Sequence, residues 1–286
     1  MRPKADVLAD VREAVASGRR EIQLLGQIVN HYSAPDDPSC DFAQLLADVD
    51  AIPGVERIRF ASPHPRHTGA RLIEAVRDLP RVCKHLHLPV QSGSSRVLRA
   101  MRRRHTREEY LELVLRVRET IPGVTLSTDM IVGFPGESVA DFDETLSLTE
   151  AVQYHSMFSF KYSPRPNTLA SKRMPDDVSP AEKAARIVAL QQLQRSIQTQ
   201  LHERAVGTNV EVLVDSVSRR RTQELSGRTS GNTVVNLPVP SDTFSNHVAD
   251  DWVGRTVTVH ITRSGPHSLS GEAVPWATQR METGPC

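Results

Sequence analysis

Val124-Thr125-Leu126-Ser127-Thr128-Asp129-Met130-Ile131-Val132-Gly133-Phe134-Pro135-Gly136-Glu137 is a β-branched, mostly apolar run that stops on two glycines and a proline. Such a run reads as a buried strand, and the residues after it require a tight turn or a close approach of the backbone to another group. Asp129 sits inside the run. A buried carboxylate without a partner is costly, so Asp129 must meet a hydrogen-bond donor or a ligand. Amphipathic patterns flank the run at residues 107–120, with Tyr110, Leu111, Val114, Leu115 and Val117 on one side, and at residues 139–152. A strand between two such helices belongs to a βαβ arrangement.

Working outward, four similar runs lie at residues 21–25, 55–60, 85–90 and 154–162, with helical patterns at 5–16, 42–51 and 68–78. The spacing fits successive βαβ units, hence a parallel sheet that is either an open Rossmann-like sheet or part of a barrel. No G-x-G-x-x-G follows a strand, which argues against dinucleotide binding. Four prolines between Pro164 and Pro180 mark a loop out of the last strand. Ser179-Pro180-Ala181-Glu182 then starts a polar helix that ends near Gly207. Beyond it, short runs at 210–214, 224–228, 233–237, 255–263 and 269–274 suggest a small Greek-key barrel of the OB type.

Composition narrows the possibilities. The 286 residues allow two domains or one large α/β barrel. Lys and Arg number 35 against 34 Asp and Glu, a formal charge of +1, so any basic site has to be local. No run approaches the roughly 18 apolar residues of a spanning helix, and Met1-Arg2-Pro3-Lys4 opens no signal core; a cytoplasmic location without a membrane partner is expected. Cys40, Cys83 and Cys286 are far apart, which gives neither a disulfide framework nor a CxxC or CxxxCxxC metal spacing. No metal ligand is expected from this chain.

Parallel α/β sheets bind ligands outside the carboxyl ends of their strands, so the residues after each run are the candidates. The first run ends in Gly26-Gln27, which an ordinary βα turn would also explain. The second enters Ser62-Pro63-His64-Pro65, a restricted histidine or a rigid turn. Gln91-Ser92-Gly93-Ser94 after the third offers an amide, hydroxyls and open backbone to a polar ligand. Within that run His85 and His87 share a face; they are expected to be packed or hydrogen-bonded rather than metal ligands. The fourth run contributes Asp129, the flat apolar Ile131 and Gly133, and the fifth exits at Arg165, suited to a carboxylate or phosphate. Residues 96–118 hold eight arginines against three glutamates, and Arg219-Arg220-Arg221 occupies a hairpin turn. Both fit phosphate contacts or a solvated surface.

Leu24 to Asn30, Arg57 to Phe60 with Ser62 to Pro65, His85 to Ser94, Asp129 to Glu137, Tyr162 to Pro166, and Glu224 to Thr229 with Asn232 resemble, in order, the MiaB-type tRNA methylthiotransferases. The resemblance implies an α/β fold: a partial parallel (β/α) radical S-adenosylmethionine (SAM) barrel over residues 1–178, lacking its cluster-binding strand and loop. A bridging helix at 179–206, a small all-β OB-like TRAM RNA-binding barrel at 207–275 and an unstructured tail at 276–286 would follow. It implies SAM as cofactor, [4Fe-4S] clusters in the full-length family, and methylthiolation at C2 of N6-prenylated adenosine next to the anticodon. By match, Gly26 and Gln27 stand at the SAM amino group, Gln91 and Ser92 line the cofactor site, and Ile131 to Gly133 face the adenine. Asp129 and Arg165 belong to the same set. Arg219, Arg220, Arg221, Arg228 and Asn232 would hold the tRNA anticodon stem-loop.

The chain also departs from that pattern. The family's CxxxCxxC lies upstream of the segment that Met1-Arg2-Pro3 resembles, and neither it nor the three further cysteines of an N-terminal domain is in this sequence. Asn167 replaces a glycine common after the arginine-proline pair. The expectation is therefore the C-terminal portion of a methylthiotransferase, inactive alone, with the cluster segment encoded upstream or supplied by a separate chain. The alternative is a non-catalytic RNA-binding remnant working through its TRAM domain.

Overall fold

The computed structural model describes residues 1–166, 168–218, 223–239 and 249–274. Asn167, Arg219, Arg220, Arg221 and the tail at 276–286 lie outside the described residues. Two compact units divide between Ile197 and Gln198.

In the first unit five strands run parallel: β1 (Glu21–Leu24), β2 (Arg57–Phe60), β3 (His85–His87), β4 (Thr125–Val132) and β5 (Ser156–Lys161). β1 pairs with β2, and β3, β4 and β5 pair in order. The chain entering β3 joins the two groups, since Ile58 N–H donates to the Arg81 carbonyl (2.7 Å) and Cys83 N–H to the Ile58 carbonyl (2.9 Å). Strand order thus follows chain order. Helices α1 (Lys4–Ala16), α2 (Phe42–Asp50) and α3 (Ala70–Asp78) pack each on the next. After the short α4 (Ser95–Ala100), α5 (Arg107–Thr120) packs on α3 and α6 (Val139–Val152) on α5. A single helical layer over strands in sequential order is the singly wound partial barrel, not the doubly wound sheet.

Both faces of a parallel sheet are usually apolar. Here the helix side is apolar throughout, with Leu86, Leu126, Met130 and Val132 buried in the core, while the other face is mixed. The opposite face carries Glu21, Arg59, His85, His87, Ser127 and Asp129, in register across the strands. Arg59 Nε donates to Glu21 (2.9 Å). Ser127 Oγ lies 2.9 Å from both His85 Nε2 and His87 Nδ1, which makes these histidines hydrogen-bonded, as expected. The third strand is shorter than residues 85–90. Pro89 has no N–H to give, and the Leu88 carbonyl accepts from Tyr110 Oη (2.9 Å) and Thr128 Oγ1 (2.8 Å).

Capping fixes the helix starts. Thr106 and Ser138 form capping boxes with Glu109 and Asp141, opening α5 and α6. After α7 (Leu169–Arg173), α8 (Pro180–Ala205) opens where Ser179 Oγ accepts from Glu182 N–H (3.2 Å) while Glu182 accepts from Ser179 N–H (3.1 Å).

The second unit contains a closed barrel of β6 (Asn209–Val217), β7 (Glu224–Thr229), β8 (Val234–Pro238), β9 (Thr256–Ser264) and β10 (Leu269–Ala273). The order is β10-β8-β7-β6-β9, antiparallel except for the β8–β10 pair. Val212, Val214, Leu225, Val235, Leu237, Val259, Ile261 and Leu269 fill it, alternating with outward polar residues. This is the expected OB-like barrel.

Candidate functional site

A cavity of about 950 Å³ opens at the carboxyl ends of β3, β4 and β5. Gln91, Asp129, Ile131 and Arg165 line it together. Gln91 holds φ +79°, a left-handed conformation that costs a non-glycine residue free energy. Two bonds to β4 enforce it: Gln91 N–H donates to the Asp129 carbonyl and its own carbonyl accepts from Ile131 N–H, both at 2.9 Å. Asp129 stands 3.4 Å from His87 Nε2. Its carboxylate therefore has the partner that its place in a strand demanded.

Ser92 and Gly133 do not line this cavity. Ser92 is buried against α6, 3.5 Å from Thr145 Oγ1, and accepts from Ser94 N–H (3.2 Å). Gly93 N–H donates to Thr145 Oγ1 (2.9 Å), and Ser94 Oγ donates to Asp141 (2.7 Å). The Gln-Ser-Gly-Ser loop thus splits, one residue facing the cavity and three facing a helix. Gly133 has φ +70°, and a Cβ there would meet Lys183 Cγ of α8 at 2.3 Å. The bareness of Gly133 makes room for the Lys183 side chain. Gly133 N–H donates to Glu137 (2.6 Å), which also pairs with Arg186 (2.7 Å). Burial pushes the Glu137 carboxyl up, while Gly133 and Arg186 pull it down without fully compensating.

Gly26 and Gln27 line a separate cavity of about 900 Å³ along β1, with Leu24, Leu25 and Ile28. Nearby, Asn30 clamps the loop after β2: His64 N–H donates to Asn30 Oδ1 (2.8 Å), and Asn30 Nδ2 donates to the His64 carbonyl (3.0 Å). Burial, then Arg103, His105, His67 and Arg66, lowers His64 to about 4. His64 therefore stays neutral near pH 7. Among the described residues no group of three His, Cys, Asp or Glu side chains is placed to hold a metal ion. Cys40 and Cys83 are buried, and Cys286 lies outside the described residues.

In the second unit Arg228 and Asn232 come together across the turn after β7, with Arg228 Nη1 3.4 Å from both the Asn232 carbonyl and Oδ1. Arg228 also lies 3.7 Å from Asp215.

Two aromatic residues beside the cavity were missed. Phe158 and Phe160 pair with Asp129 and Ile131, share their face, and remain 59% and 53% exposed. The period-two Phe-Ser-Phe pattern was their signal. Arg103 also lines the cavity, half-buried.

Residues 1–149 match the model of the Radical SAM superfamily. The chain belongs to that superfamily. Residues 203–274 match the TRAM domain. A tRNA-2-methylthio-N(6)-dimethylallyladenosine synthase from Chlorobium chlorochromatii (strain CaD3) is 50% identical over 233 residues, 82% of this chain and 52% of that protein. Proteins of the same description from Solibacter usitatus (strain Ellin6076) and Alkalilimnicola ehrlichii (strain ATCC BAA-1101 / DSM 17681 / MLHE-1) are 44% and 46% identical over 95% of this chain. The chain covers 60% and 59% of them, so it spans between half and three fifths of the length of these curated relatives.

Proposed function

We propose that this chain carries the SAM-binding and RNA-engaging parts of a tRNA methylthiotransferase, acting at C2 of N6-prenylated adenosine beside the anticodon. Residues 1–178 are read as the cofactor unit, 179–206 as a bridging helix and 207–275 as the RNA-binding barrel. The observation that carries this is the lining of the strand-end cavity. It sets a carboxylate (Asp129), an amide (Gln91) and a guanidinium (Arg165) around an apolar surface of Ile131 and Phe160. That set suits a zwitterionic nucleoside: Asp129 and Gln91 for ammonium and hydroxyl groups, Arg165 for a carboxylate, Ile131 for the adenine face. When bound, SAM supplies the methyl group and the hydrogen-abstracting chemistry of the superfamily.

The chain's own part is to hold and orient. The strained backbone of Gln91 fixes one wall, and exposed Phe160 offers a stacking surface to a base carrying an apolar prenyl group. An iron-sulfur cluster does not fit the cysteines described, buried Cys40 and Cys83. Cluster ligands would have to come from a segment encoded upstream or from a separate chain.

The test is SAM binding by the 286-residue chain, followed by a fusion to the cysteine-bearing segments of a relative. Asp129→Ala should weaken SAM binding by about tenfold or more, as expected for a lost charged hydrogen bond. The fusion should methylthiolate prenylated tRNA, read by mass spectrometry of nucleosides. A folded fusion with both clusters and no affinity for SAM would overturn the pocket assignment and favour the RNA-binding remnant.

A further inference from the structure

The arginines between Arg96 and Arg118 divide into two groups. Arg96 is bound to Asp141 and the Gly136 carbonyl, Arg107 to the Glu144 carbonyl (2.5 Å) and Ser147 Oγ (3.0 Å), and Arg118 to the Val152 carbonyl. These three brace the fold. Among the described residues, the side chains of Arg99, Arg102, Arg103 and Arg104 make neither a hydrogen bond nor an ion pair, although all four cluster at the end of α4. Arg103 is half-buried, and burial lowers its pKa against a weaker opposing pull from Asp129. A guanidinium withdrawn from water without a carboxylate in contact is unfavourable unless an anion arrives.

A third, smaller cavity of about 180 Å³ lies beside this cluster, lined by Ser95, Arg99, Arg103, Arg104, His105 and Thr106. Its one carboxylate, Glu109, already accepts from Thr106 N–H (2.8 Å). Arg103 lines this cavity and the large one alike. An anion held here is therefore one side chain away from a space of nucleoside size. SAM carries no phosphate, so the cofactor does not account for the cluster.

We propose that Arg99, Arg103 and Arg104 hold the RNA phosphodiester flanking the nucleotide whose base enters the large cavity. This RNA contact lies on the barrel unit itself, separate from the TRAM barrel, and it rests on the reading of the chain as tRNA-directed. Charge-assisted, fork-shaped contacts of arginine to phosphate oxygens supply the recognition, and Arg102, exposed at the cavity rim, faces the continuing strand's charge.

The test uses the full chain and a fluorescent anticodon stem-loop RNA, with affinity measured across a chloride series. Arg99→Gln with Arg104→Gln removes two of the three contacts to that phosphate and should flatten the slope of log K against log salt by up to about 0.7 to 0.9, the value for one phosphate. Exposed Arg116, which has no partner among the described residues and lies on neither cavity, is the control: Arg116→Gln should leave the slope within error. An unchanged slope in the double variant, with wild-type RNA binding intact, overturns the barrel contact and leaves the tRNA reading standing. Absence of RNA binding by the wild type overturns both. Inorganic phosphate at matched ionic strength separates the remaining source: displacement of RNA from the wild type but not from the double variant supports the contact, whereas phosphate that binds the wild type without displacing RNA means that the pocket takes free phosphate, and the proposal fails.

Discussion

At Gly93 a methyl group has nowhere to go. A Cβ there would lie 2.4 Å from both the Glu144 carbonyl oxygen and the Thr145 Cα, main-chain atoms of α6 that no rotamer change can move. Gly93→Ala must therefore push α6 away or break the Gly93 N–H bond to Thr145, and overpacking of this kind costs about 1–3 kcal/mol. Urea denaturation should show a lower midpoint at an unchanged m value. Gly26→Ala is the contrast: its Cβ would meet Val29 Cα at 3.3 Å, a contact that a few tenths of an ångström relieve. A midpoint for Gly93→Ala equal to the wild type's would mean that α6 does not pack against this loop. The sequence marked the loop as glycine-bearing, polar and at a strand end, which suits a ligand site and a helix-packing site equally. Side-chain direction along an irregular loop is set by what packs on it, so the division between Gln91 and its three successors was not legible in the residues alone.

Elements were read more securely than loops because capping and alternation are local. The box at Ser179 and the five strands of each unit follow from residue spacing, whereas the early end of β3 depends on Tyr110 and Thr128 reaching over from other elements. The start of α6 carries a pH dependence of its own. Burial raises the Asp141 carboxyl, but Arg96, Ser138 and Ser94 outweigh it and hold its pKa well below the ordinary carboxylate range. A folded-state pKa depressed in this way contributes stability that is complete above the unfolded value, near 4, and is lost as pH falls through the folded value. Asp141→Asn should therefore cost about 1–3 kcal/mol at pH 7, since Arg96 and two hydroxyls lose a charged acceptor. Its deficit relative to the wild type should shrink below pH 4. A constant deficit from pH 7 to pH 3 would show that the loss is one of shape and not of charge.

For the whole molecule, a parallel α/β unit and an OB-like barrel were legible because each is an ordered series of short strands with its own period, whereas strand spacing left open sheet and barrel as alternatives for the first unit and only the family resemblance chose the partial barrel. The polar lumen of the first barrel was not, although Glu-Ile-Gln-Leu, Arg-Ile-Arg-Phe and His-Leu-His all alternate. Parallel strands are ordinarily apolar on both faces, so alternation in three successive strands signals an interior that faces water or a ligand. That interior sets the final expectation. The strand-end cavity is lined by groups after β3, on β4 and at the exit of β5, and none of these is a thiol. A [4Fe-4S] cluster needs cysteine thiolates converging at one place, while Cys40 and Cys83 are buried in the core and the third cysteine is Cys286. Cofactor binding and cofactor cleavage should therefore separate in the 286-residue chain. After anaerobic reconstitution it should retain SAM on equilibrium dialysis, yet show no stoichiometric cluster absorbance and release no 5′-deoxyadenosine. Release of 5′-deoxyadenosine with a full cluster would mean that these cysteines rearrange to ligate iron. Loss of SAM binding together with the cluster would mean that the carboxylate, amide and guanidinium at the strand ends cannot hold the cofactor without iron to anchor it.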